Sequence, residues 1–191
     1  MPTPPRYFRL NEVVQAGNWY LGTPQDERGH ELEDIREFTS GRVAHPRGRL
    51  TIPVREPGRR CEFNMAGAGR TPVVHVNLAM LLTELAPSDV QLLPVDIIGC
   101  PDEYLILVAT RLVRCIDDAA TEEVRYWKPE DERPDKLGQY RSVFGMKLDP
   151  SRVGDAKVFR TWGWPVALIV SEDIKTALER ANVTGAEFEE V

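Results

Sequence analysis

The chain has 191 residues, of which 42% are hydrophobic and 28% charged, with a mean hydropathy of -0.34. This is the composition of a globular domain, and it excludes a collagen, a coiled coil and a mostly disordered chain. Lys and Arg number 24 against 30 Asp and Glu, a net charge of -6, which argues against nucleic acid or an anionic membrane as partner and suits a basic one.

The elements follow in chain order. Pro2–Pro5 reads as a short extended leader and Tyr7–Leu10 as a strand. Asn18–Leu21 is a candidate strand, Gly22–Asp34 a polar loop, and Arg42–His45 and Arg49–Val54 short strands about a turn at Pro46-Arg47-Gly48. Cys61–Met65 alternates as a strand, and Ala66–Thr71 is a turn. Leu78, Leu81, Leu82 and Leu85 fall at i, i+3, i+4 and i+7, which predicts a helix over 77–86 with Asn77 as its cap, stopped by Pro87. Val90–Ile98 reads as a strand, and Pro94 assigns it to an edge or a bulge because proline has no ladder donor. Glu103–Ile116 is the strongest strand signal, expected to be central. Val124–Trp127 and Gln139–Leu148 are strands around an exposed acidic loop. Lys157–Arg160 and Val166–Val170 are strands around Trp162-Gly163-Trp164-Pro165. Ser171 is placed to cap a helix over 172–181, with Glu172 and Asp173 favoured by its dipole and Asn182 at its left-handed end. Ala186–Glu189 is a closing strand. About ten strands and two helices, without regular alternation, predict an α+β fold, mainly antiparallel sheet. The chain reads as one domain over 1–191, with a soft boundary near 75 between a β-rich part (1–75) and an α+β part (76–191).

Charge is uneven along the chain. Residues 1–60 hold 10 basic and 8 acidic side chains, 61–110 hold 1 and 6, and 111–191 hold 13 and 16. The middle stretch is either a core-rich segment with solvated carboxylates or one wall of an acidic face. Three cysteines at long spacings (Cys61, Cys100 and Cys115) do not make a disulfide framework and suggest a reducing compartment. Met1–Pro5 has no charged and apolar leader, and the longest apolar run falls short of the roughly 20 residues of a membrane helix. A cytoplasmic protein is expected.

Residue chemistry points away from catalysis. His30, His45 and His75 are far apart and pair with no cysteine at ligand spacing, so no metal is expected. Gly67–Pro72 lacks the glycine, lysine and hydroxyl positions of a phosphate loop, so no cofactor is expected. No nucleophile elbow is present, and Cys100 and Cys115 sit in or beside apolar segments where a thiol is inert. No catalytic residue is assigned. The pairs Asp117–Asp118 and Glu122–Glu123 form either a solvated bend or charges facing a basic partner. Trp127 precedes the acidic run Glu130-Asp131-Glu132. In an extended segment Trp162 and Trp164 share a side, where they either close the core over a sheet edge or anchor an interface.

Several runs carry a resemblance across most of the chain: Tyr7–Leu10, Trp19–Gly22, Val90–Val95, Leu112–Asp117, Asp155–Arg160, and Leu168–Asp173 with Gly185 and Phe188. Together they resemble a bacterial family known from myxobacteria, formerly a domain of unknown function, classed as immunity proteins of polymorphic toxin systems. The resemblance implies a non-enzymatic protein of interbacterial competition. Such a protein binds a cognate toxin encoded by a neighbouring gene, often a basic nuclease, and covers or distorts its active site. Asp117, Asp118, Glu122, Glu130, Asp131 and Glu132 would steer that toxin in, and Trp127, Trp162 and Trp164 would hold it. Self-association through the tryptophans is the mark of the rival reading, a scaffold or regulatory module unrelated to toxins. An enzyme is the remaining class.

Overall fold

The computed structural model describes residues 4–191, so the first two residues of the expected Pro2–Pro5 leader lie outside it. In chain order the elements are β1 (Tyr7–Glu12), β2 (Tyr20–Leu21), β3 (Leu50–Ile52), β4 (Val54–Glu56), β5 (Phe63–Ala66), β6 (Thr71–His75) and α1 (Val76–Leu85). Then come β7 (Val90–Ile97), β8 (Tyr104–Ala109), β9 (Leu112–Val113), β10 (Glu123–Tyr126) and β11 (Tyr140–Phe144). The chain closes with β12 (Val158–Thr161), β13 (Trp164–Ser171), α2 (Glu172–Arg180) and β14 (Ala186–Glu190). Two five-stranded sheets, ordered β14-β1-β13-β12-β9 and β3-β7-β8-β6-β5, stand beside the two-stranded ribbons β2-β4 and β10-β11. Pairing is antiparallel except for β12 with β9 and β3 with β7. The α+β architecture matches expectation. Both large sheets draw strands from either side of residue 75.

Alternation along the central strands builds three apolar layers. On β13, Leu168 and Val170 enter the middle layer, while Ala167 and Ile169 enter an outer one. On β8, Leu107 and Ala109 share that middle layer, and Ile106 and Val108 enter the other outer one. Leu78 and Leu82 of α1 and Ile174 and Leu178 of α2 complete the middle layer. Each such buried aliphatic contributes about 1.5–3 kcal/mol relative to exposure.

Several expectations are corrected. Helix α1 is capped by His75, not Asn77: the imidazole Nδ1 accepts from the Asn77 amide at 3.3 Å, and the ring lies edge-on to Tyr104. At α2 the Ser171 hydroxyl donates to Asp173 (2.6 Å) and makes no cap to the backbone; Asn182 does take a left-handed conformation, with φ 51°. Only Tyr20–Leu21 of the Asn18–Leu21 stretch is strand. Arg42–His45 is not a strand, because the Gln91 side-chain amide takes both the N–H and the C=O of Ala44, at 2.8 and 2.9 Å. Strand β7 is an edge only in its first half: β3 pairs with it from Val95 onward, so Pro94 lies just before the added ladder. The Glu103–Ile116 run splits into β8, central in one sheet, and β9, at the edge of the other.

That split is held by Asp89, which is buried. Its Oδ2 accepts from the amides of Lys157 (2.7 Å) and Val158 (3.2 Å), and its Oδ1 pairs with Arg111 at 3.2 Å. Its backbone carbonyl accepts from Thr110. One residue thus joins the end of β8, the approach to β9 and the start of β12. Among the described residues no helix is long and apolar enough to cross a membrane. Replacing Asp89 by Ala strands two amides and leaves the half-exposed Arg111 only its pair with Asp155 at 2.9 Å, and should cost about 3 kcal/mol. Urea unfolding measures this directly, and a cost below about 1 kcal/mol would deny Asp89 that role.

Candidate functional site

The turn between β12 and β13 is set by backbone geometry. Gly163 has φ +78°, which the turn requires. The Thr161 hydroxyl donates to the Trp164 carbonyl at 2.5 Å, and the Trp162 amide donates to Val113 at 2.8 Å. The Tyr140 amide donates to the Gly163 carbonyl at 3.1 Å, which ties the turn to the β10-β11 ribbon. At the end of that ribbon the Trp127 amide donates to Gln139 at 3.0 Å. Trp162 and Trp164 are therefore not on one side of an extended segment. A tight turn and a strand start bring them to the same place.

That place is a groove of about 600 Å³ bordered by Trp127, Trp162 and Trp164. Its opposite wall comes from the first part of the chain: Ile35–Arg42 and the β5-β6 turn at Ala68–Arg70. The two wall segments touch so closely that a Cβ on Gly69 would lie 2.0 Å from the Ile35 carbonyl oxygen. Among the described residues its charged lining is entirely cationic: Arg36, Arg42, Arg70, Lys136 and Arg141. Trp127 is ringed by cations, with Lys136 at 5.1 Å, Arg141 at 5.4 Å and Arg133 at 6.0 Å from its ring. Arg114 lies 4.4 Å from the Trp162 ring. Each contact holds an indole in place while leaving part of it accessible.

The acidic candidates do not border this groove. Asp118 lines a smaller hollow of about 320 Å³ that shares Tyr140 with it. Its carboxylate accepts from the hydroxyls of Tyr126 and Tyr140, whose rings stack at 4.8 Å. Asp117 accepts from the amides of Ala119 and Ala120, which shapes the bend. Asp131 pairs with Arg141 at 2.5 Å and accepts from the Lys128 amide. Glu122, Glu130 and Glu132 are exposed and form no ion pair among the described residues. The basic lining was not anticipated from sequence. Its one trace there is the positive balance of residues 1–60.

The other chemistry-bearing residues stay apart. Burial pushes the Cys115 thiol up to about 12 and raises Cys61 as well. No three His, Cys, Asp or Glu side chains among the described residues gather as metal ligands.

A model of the immunity protein family Imm11 matches residues 81–191. The chain belongs to this family. No curated protein matches it. The Imm11 segment runs from the second half of α1 through β14 and carries Trp127, Trp162 and Trp164. Arg36, Arg42 and Arg70 of the facing wall precede it.

The Asp118 cluster makes a pH prediction. The hydrogen bond to Asp118 raises Tyr126 above the ordinary phenol range; burial, then Asp118, raises Tyr140. This stabilisation is whole below about pH 10 and is lost as pH rises through the elevated values. Asp118→Asn removes the adjacent negative charge, so both phenols should ionise earlier in an ultraviolet titration. An unchanged titration curve would show that Asp118 does not set them.

Proposed function

We propose that this Imm11 protein neutralises a cognate toxin by binding it through the tryptophan-lined groove. The observation that carries the reading is the convergence of three partly exposed indoles, from two loops, on one concavity. Buried aromatic anchors dominate the energy of protein interfaces, and tryptophan is the most enriched of them. The toxin's active site is covered or distorted by the docked groove. The role needs no catalytic group, cofactor or metal of the chain's own.

A basic, nuclease-type toxin encoded by a neighbouring gene fits the net charge of -6. Glu122, Glu130 and Glu132 are free to steer it, which raises the rate of encounter more than the final affinity. Asp117, Asp118 and Asp131 already serve intramolecular contacts, so their part is to shape the ribbon that presents Trp127.

Co-expression of the neighbouring gene with and without this protein tests the reading: growth rescue and a co-purifying complex are expected. A neighbour that is harmless alone, or that kills equally when this protein is present, contradicts it. Within a rescued pair, Trp162→Ala should weaken the complex by about 30-fold or more, mostly through faster dissociation. Glu130→Gln with Glu132→Gln should instead slow association and flatten its salt dependence. If Trp162→Ala leaves affinity unchanged, the groove is not the contact face.

A further inference from the structure

Beneath the groove lies a charge with no counter-ion among the described residues. Arg160 of β12 is 1% exposed. Its Nη1 donates to the carbonyls of Pro165 (3.2 Å) and Val166 (3.0 Å), both residues of the groove lining. Among the described residues its Nε and Nη2 find no acceptor, and neither does the buried Nε of Arg9. Burial, then the like charges of Arg70 and Arg9, push Arg160 down to about 9. Among the described residues no carboxylate forms an ion pair with Arg160, Arg9 or Arg70; Glu12 acts on Arg70 through its charge and accepts from the Met65 amide. Arg36, Arg42, Arg70 and Lys136 form no ion pair among the described residues. Burying an unpaired guanidinium is strongly unfavourable, and in this low-dielectric wall its field reaches the groove weakly screened.

We propose that the groove is the receptor for an acidic segment of the partner protein, with carboxylates seated on Arg36, Arg42, Arg70 and Lys136 and apolar side chains on the three tryptophans. This rests on the toxin-binding reading and deepens it by naming the chemistry of the docked segment. Charge complementarity decides the occupant: among the described residues four unpaired cations, with Arg141 paired to Asp131, and no carboxylate line a concavity on a chain of net charge -6. A basic toxin overall still satisfies it, because metal-dependent nuclease centres are themselves built from carboxylates. An Imm11 protein that presents guanidinium groups to such a centre would occupy the toxin's own metal-binding chemistry. Nucleic acid is the competing anion. The net charge of -6 weighs against it.

The test is a fluorescence titration of the full chain. Trp19 is buried against Asn64 and gives a constant background, so changes report the three groove indoles. The probes are a blocked Glu-Phe-Glu-Phe-Glu peptide, its Lys-Phe-Lys-Phe-Lys counterpart, and a short oligothymidylate. Saturable, salt-sensitive binding of the acidic peptide alone is expected, weakened about tenfold or more in Arg36→Gln with Arg70→Asn. Both positions are exposed, and Asn tolerates the left-handed backbone of Arg70 (φ 49°). Equal binding of the lysine peptide, tighter binding of the oligonucleotide, or an unaffected double variant each overturns the proposal. The same double variant separates this inference from the toxin-binding reading. If it rescues growth with unchanged affinity for the toxin, immunity stands and the acidic-segment assignment falls. If the wild-type protein fails to rescue, immunity falls and the peptide titration alone decides the assignment.

Discussion

Asp89 holds the amides that begin β12, the guanidinium of Arg111 before β9 and, through its carbonyl, the residue that follows β8. Those three strands belong to two sheets, so one buried carboxylate fixes where the sheets meet. The consequences run outward along β12. Val158 and Arg160 are on the face of Leu168, which places Arg160 at the edge of the middle layer instead of in solvent. A few residues later the chain turns at Gly163 and delivers Trp162 and Trp164 to the surface. The groove is a product of that register. It needs β9 and β12 held together on one side, and the Ile35–Arg42 segment pressed on Gly69 on the other.

The electrostatics act on two length scales. At separations up to roughly a Debye length, about 8 Å at physiological salt, a partner feels the summed charge of the protein, and here that is acidic. Within contact distance it meets the local lining, which is cationic. A protein can thus attract a basic toxin and still demand a carboxylate at the point of docking. Arg160 fits this division. Its unpaired charge disfavours the free state, and on the proposed reading a docked anion would offset part of that cost.

Much of this was legible in the residues. The leucine spacing marked α1, the acidic first turn and Asn182 marked both ends of α2, and the Glu103–Ile116 run marked a central strand, the place that β8 takes. What escaped depended on distant partners. Nothing local in Leu107–Ile116 says that the strand breaks at Thr110, because the break is imposed by Asp89. Arg42–His45 has the composition of a strand, yet the Gln91 side chain occupies the backbone groups that a ladder would have used. The tryptophans stood out as candidates on residue type alone. Their convergence did not, since it needs the positive φ of Gly163 and the hydrogen bond from Trp127 to Gln139. The cationic wall was the least visible feature: Arg36, Arg42, Arg70 and Lys136 are scattered over a hundred residues of chain and meet only in the fold.

The account centres on one claim, that the groove is the face by which this Imm11 protein meets its toxin. Hydrogen–deuterium exchange of the free protein and of the toxin complex tests it most directly. Binding should slow exchange at 35–42, 68–70, 127–141 and 162–166 together, since these segments form the two walls. Slowing confined to α1, α2 or β14, with the groove exchanging as it does in the free protein, would contradict it.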